Sequence, residues 1–137
     1  MPTLYHGTSR TIASALAVGT IDVTLGRGEF GRGFYSQTSS SNAHRRGYAR
    51  YGGNGAVLVL RISDSRYYAL QFKRLSLHAA QLLAAKLRAN GETHTYTTGE
   101  DVIVGPLVNQ PKIMQQKYQT FLAQDLLNGP ETQRTVI

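Results

Sequence analysis

Three stretches of this chain carry side chains suited to chemistry. Leu4-Tyr5-His6-Gly7-Thr8 places an imidazole beside a glycine and a hydroxyl. Gly26-Arg27-Gly28-Glu29-Phe30-Gly31-Arg32-Gly33-Phe34-Tyr35 sets four glycines in eight residues and then delivers two aromatics into the polar run from Ser36 to Ser41. Arg45, Arg46 and Arg50 form the only tight basic cluster. A glycine-rich loop lets a ligand approach the backbone closely, a tyrosine face stacks on planar rings, and arginines pair with phosphates. Taken singly, each has a plain explanation: a strand-end histidine, a half-buried strand tyrosine, a surface loop, a solvated helix face. Their occurrence together and in this order is the signal.

The composition bounds what chemistry is open. A chain of 137 residues reads as a single domain, 1–137, long enough for a core without staples. With no cysteine, disulfides, thiolate catalysis and cysteine-based zinc sites are excluded. His44, His78 and His94 have no metal-ligand spacing, so no metal site is expected. No apolar run is long enough for a membrane span, and no signal peptide is visible. Fifteen Lys and Arg against eight Asp and Glu give a net charge of +7, which favours polyanionic partners. Twelve of those cations are spread over positions 10 to 88, so charge alone does not make this a nucleic-acid-binding protein.

The elements that must position these residues follow from capping and periodicity. Thr3 to His6 reads as a short strand, and Ser9 caps a helix over Thr11–Val18 that Gly19 closes. Ile21 to Leu25 reads as extended. The glycine loop leads into a strand through Phe34-Tyr35, and Ser39 to Ser41 cap a helix over Asn42–Tyr51 that carries the three arginines. Ala56 to Ile62 is continuously apolar and reads as a strand covered on both faces. Arg66 to Phe72 reads as a strand. Ser76 caps a helix over Leu77–Asn90 whose Leu77, Ala80, Leu83, Ala84 and Leu87 form a core stripe ending at Gly91. Thr93 to Thr98 and Asp101 to Val104 read as strands, Ile113 to Tyr118 as a strand or helix start, and Phe121 to Leu127 as a helix. Interleaved strands and short helices make the fold class α+β.

The His6-Gly7 motif, the Phe30 to Tyr35 motif and the Ala56–Ile62 strand, in this order, resemble the ADP-ribosyltransferase fold. The similarity is to its His–Tyr branch, shared by diphtheria toxin and the poly-ADP-ribose polymerases. It is nearest to small bacterial domains at the C-termini of polymorphic toxins, in which an Asp-Val-Ile-Val-Gly-Pro run like Asp101 to Pro106 also occurs. The resemblance spans roughly residues 3 to 127 and implies a split-sheet α+β domain. It also implies NAD as co-substrate, with the nicotinamide–ribose bond breaking with oxocarbenium-like character, as in glycoside cleavage. It gives His6 the nicotinamide-side ribose, the Gly7 backbone the carboxamide and Tyr35 the nicotinamide ring. Thr8 and Ser36 supply further NAD contacts, and Arg10 and Arg32 the pyrophosphate.

The family's third position is usually Glu. Here the best match is Gln115, with Gln116 second and Glu100 third; a Gln offers hydrogen bonds but no charge, so base help would have to come from another group. The resemblance implies a mono-ADP-ribosyltransferase toxin domain acting in the cytoplasm of a target cell, with a macromolecular acceptor and possible pairing with a cognate immunity protein. In the family geometry the helix of Arg45, Arg46 and Arg50 lies near the mouth of the NAD pocket. Together with the +7 charge this places RNA slightly ahead of protein as acceptor. Two other classes stay open: a metal-independent ribonuclease toxin using His6 or His94, and a non-catalytic basic nucleic-acid-binding module.

Overall fold

The computed structural model describes residues 2–137. Among them, seven strands and five helices alternate along the chain, a mixed architecture consistent with α+β. The chain divides into two compact units. One comprises the chain up to Ile21 with Ser36–Ala69 and Leu126–Ile137; the other comprises Asp22–Tyr35 and Leu70–Asp125.

In the first unit, β1 (Thr3–Ser9) runs antiparallel to β3 (Gly55–Ile62), in register from Thr3↔Arg61 to Ser9↔Gly55. On its other side β1 pairs with the end of β2 (Phe34–Gln37) at Tyr5↔Gln37. β7 (Thr132–Val136) covers the outer edge of β3. The apolar run expected to be covered on both faces is so: Ala56 to Leu60 are all buried. Ser9 accepts from the Ile12 N–H and caps α1 (Arg10–Val18), and Ser39 accepts from Asn42 N–H and caps α2 (Ser40–Tyr51). α2 packs Ala43 against Val57, Val59 and Tyr5. It comes so close to β1 that a Cβ on Gly7 would run into the Ala43 carbonyl. A short helix, α3 (Asp64–Tyr67), follows β3.

In the second unit, β4 (Phe72–Arg74) lies parallel to β5 (Val102–Pro106), and β5 antiparallel to β6 (Met114–Tyr118). α4 (Leu77–Asn90) starts at the Ser76 cap and stops at Gly91, which is left-handed. It buries Ala80, Ala84 and Leu87, with Ala80 packed on Phe30 and Ile103. α5 (Phe121–Asn128) begins where Thr120 Oγ1 accepts from Ala123 N–H.

Several expected elements differ. Ile21 to Leu25 is a turn, because Asp22 Oδ1 accepts from both the N–H and the hydroxyl of Thr24, the local bonding that draws Asp out of extended structure. Arg66 to Phe72 is mostly not a strand. Ser63 and Asp64 carbonyls accept from Tyr67 and Tyr68, and Tyr67 and Leu70 are buried at helical spacing, leaving only Phe72–Arg74 extended. Thr93 to Thr98 folds as turns around the Glu92 carbonyl, which takes the N–H groups of Thr95 and Tyr96. The strand expected over Asp101 to Val104 runs on to Pro106, which pairs with Met114. Leu77 lies at the exposed first turn of α4, outside the core stripe.

Candidate functional site

The chemistry-bearing residues of the first unit centre on β1. Val57 exchanges both backbone hydrogen bonds with Ile137, so in the antiparallel register Gly7↔Val57 is a non-hydrogen-bonded pair. The Gly7 N–H and C=O therefore point away from β3, towards the side on which β2 pairs. Side chains alternate along the strand: Tyr5 and Gly7 face α2, while Leu4, His6 and Thr8 face the other way. Leu4 and Thr8 are buried and His6 is half-buried. On β2, Ser36 is buried and its Oγ has no hydrogen-bond partner; the same holds for Gln37 Oε1. Arg45, Arg46 and Arg50 are exposed on α2, which packs on the Gly7 face of β1. His6 projects from the opposite face of that strand.

In the second unit the glycine loop is wound on itself. The Tyr35 hydroxyl donates to Gly31 O at 2.6 Å and accepts from Phe30 N–H at 3.0 Å. Gly31 N–H goes to Gly28 O, and Arg32 N–H to Tyr96 O. Gly31 sits at φ +95°, and a Cβ there would strike the Tyr96 carbonyl. Gly28 lies over one face of the Tyr35 ring: an added Cβ would stand 2.7 Å from Cζ and 3.0 Å from both Cε atoms. These glycines serve the loop's own packing, and its amides at residues 30, 31 and 32 are already engaged.

Lys117 anchors the loop from β6. It is fully buried, and its Nζ donates to Phe30 O at 2.7 Å and Tyr96 O at 3.3 Å, with the Tyr96 ring 5.7 Å away. Burial pushes its ammonium down to about 7, and the Arg32 charge adds to the effect. Arg32 Nε is buried without a partner.

Strand alternation separates the three candidates for the third position. Gln115 and Lys117 lie on the β6 face that meets the loop. Gln115 Nε2 donates to Glu29 Oε1 at 2.9 Å, and the same oxygen accepts from Val108 N–H at 3.3 Å. Gln116 turns to the other face, where its Oε1 accepts from the Tyr118 hydroxyl. Glu100 sits in the turn before β5, its carbonyl accepting from Gln119 Nε2. Asp101 is a structural bolt: its carboxylate takes Gln71 N–H and the Thr120 hydroxyl.

Sequence reasoning missed Glu29 and Lys117. Glu29 had a signal, as the only carboxylate in the glycine loop. Lys117 had none, because a lysine in a polar run reads as exposed. The first unit therefore holds His6, Gly7, Thr8, Ser36, Arg10 and the α2 arginines, and the second holds Arg32, Tyr35 and Gln115.

Among the described residues no group of three or more His, Cys, Asp or Glu could hold a metal ion, and no helix is long and apolar enough to cross a membrane. No protein-family model matches the chain, and no curated protein is similar to it.

Proposed function

We propose that this protein is an NAD-dependent mono-ADP-ribosyltransferase of the split-sheet, His–Tyr type, a bacterial toxin domain that transfers ADP-ribose to a macromolecule. Its motifs assign His6 to the ribose, Gly7 to the carboxamide and Tyr35 to the nicotinamide ring. Gly7 suits its role because its backbone pair is directed away from β3. Tyr35 suits its role because its hydroxyl is tied at both ends of a tight loop, which fixes the ring. Among the described residues three buried polar atoms lack a partner, and two of them, Arg32 Nε and Ser36 Oγ, belong to residues assigned to NAD. A buried polar atom left unpaired is costly, and a ligand hydrogen bond would offset that cost.

The observation that carries the transfer chemistry is Glu29 beside Gln115. In the proposed reaction the bond between nicotinamide and ribose breaks, nicotinamide leaves with the bond's electron pair, and the acceptor oxygen or nitrogen bonds to the ribose carbon. Positive charge builds on the ribose in between, and a fixed carboxylate stabilises it. Gln115 has no charge to give, so Glu29 supplies it and can take the acceptor's proton. Arginine-rich surface in the first unit supports RNA over protein as acceptor, with delivery into a target cell and neutralisation by an immunity protein following from the toxin reading.

The test is incubation with adenylate-labelled NAD and, separately, total RNA and total protein, at low and high salt. Nicotinamide release with label on RNA, falling steeply with salt, and its loss in His6→Ala and Tyr35→Ala, support the proposal. Label on protein alone removes the RNA acceptor. Absence of both nicotinamide release and a thermal shift with NAD overturns the transferase reading.

A further inference from the structure

The charge is unevenly divided. The first unit carries seven arginines and no lysine against two carboxylates, Asp64 and Glu131, and so holds +5 of the chain's +7. Glu131 is paired with Arg66 at 3.2 Å. No carboxylate occurs in the chain between Glu29 and Asp64, and α2 lies in the middle of that stretch. At the C-terminal end of α2, an open recess of about 380 Å³ is lined by His44, Arg45, Tyr48, Gly52, Gly53 and Gly55. Tyr48 is 70% exposed there. The recess floor offers bare backbone: a Cβ on Gly53 would meet nothing within 4 Å, so packing does not demand glycine there, whereas Gly52 is held at φ +58°, a conformation that itself favours glycine. His44 and Tyr48 are one helical turn apart, and Arg45 is three residues from Tyr48, so all three side chains line one face.

We infer that this recess binds an unpaired nucleotide of a nucleic-acid strand. The base stacks on Tyr48, Arg45 and His44 hold the flanking phosphates, and the glycine backbone lets the sugar come close. Aromatic faces capture bases of single strands regardless of sequence. Arginine forks match phosphate oxygens two at a time, and exclusive use of arginine suits that task better than general solubility. Because His6 projects from the face of β1 opposite α2, the recess anchors the strand rather than reacting with it. The inference deepens the transferase reading by naming how an RNA acceptor is held, and it rests on that reading only for the strand's role as acceptor.

The experiment measures fluorescence anisotropy of an end-labelled single-stranded RNA oligonucleotide, in the absence of NAD. A single-stranded DNA, the matching duplex and an acidic peptide serve as the other probes. Single strands of either kind should bind. Tyr48→Ala should weaken binding about tenfold, with Tyr48→Phe restoring it. Arg45→Ala should reduce the slope of log affinity against log salt by about one. Tyr48 is exposed, so its variants should keep the wild-type melting temperature, which is measured alongside. Equal binding of duplex or acidic peptide, or unchanged RNA affinity in Tyr48→Ala, overturns the inference. Since no NAD is present, failure of the transferase reading does not alter either outcome.

Discussion

Gln115 Nε2 donates to Glu29 Oε1 over 2.9 Å, so a neutral amide on β6 holds a carboxylate that comes from the glycine loop. Under the proposed reading the pair divides between two residues what a single glutamate does in the family that the motifs resemble: Gln115 orients and Glu29 carries the charge. Glu29→Gln should lower kcat for ADP-ribose transfer about 10²-fold with NAD affinity retained, because the charge acts as the ribose becomes cationic. Gln115→Glu places two carboxylates side by side, which raises the pKa of the pair, and should move the acidic limb of the pH–rate profile upward. Glu100→Ala should leave kcat close to wild type. Steady-state kinetics of nicotinamide release on these three variants checks the assignment.

The Tyr35 hydroxyl closes the loop by accepting from Phe30 N–H and donating to Gly31 O. Tyr35→Phe removes both bonds and leaves the amide of the buried Phe30 without its partner. It should cost about 1–3 kcal/mol of stability, read as a lower denaturant midpoint, and, with the ring present but no longer fixed, should weaken NAD binding less than its removal does. Tyr35→Ala should lose both stability and NAD binding. Equal NAD affinity in Tyr35→Ala and wild type would remove the ring from the nicotinamide site.

Glycines of this chain separate by what surrounds them. Gly31 is at φ +95° and faces the Tyr96 carbonyl, whereas Gly99 has neither positive φ nor any atom within 4 Å of an added Cβ. Gly31→Ala should destabilise by about 2 kcal/mol or more, and Gly99→Ala should be neutral or slightly stabilising. Chemical denaturation of the two variants makes the comparison.

The legible parts of the fold were those that local chemistry dictates. Ser9, Ser39 and Ser76 cap their helices, Gly91 stops α4, and the apolar run of β3 is buried on both faces. β7 was not foreseen because Thr132 to Val136 is polar and short, and its strand state comes from pairing with β3, a partner far away in sequence. Thr93 to Thr98 alternates like a strand, but Glu92 gathers its amides into turns, and the Tyr96 carbonyl is spent on Arg32 and Lys117. At the site, the motif residues could be picked out one by one. The Glu29–Gln115 contact joins positions 86 residues apart, and only the pairing of β5 with β6 and the winding of the loop bring them together. The glycine spacing marked a loop but not its winding, in which the amides of Phe30 and Arg32 turn to the Tyr35 hydroxyl and the Tyr96 carbonyl.

Lys117 gives the protein a measurable pH signature. Its ammonium is buried against two carbonyls, and its proton is lost near pH 7 in the folded chain, against 10.5 for an ordinary lysine. Between those values the unfolded chain holds a proton that the folded chain does not. Stability changes with pH in proportion to protons bound unfolded minus protons bound folded, so this group makes stability rise as pH increases from about 7 to 10.5. Below pH 7 the lysine is charged in both states, and the full desolvation cost stands, on the order of a few kcal/mol. Lys117→Met keeps the length of the side chain and removes the titration. The difference in unfolding free energy, wild type minus Lys117→Met, should climb across that window and flatten above it. Taking the difference cancels tyrosines that titrate in the same range. A difference that is flat from pH 7 to 10 would show that Lys117 stays charged in the folded protein, with the two carbonyls of Phe30 and Tyr96 sufficient to hold its ammonium.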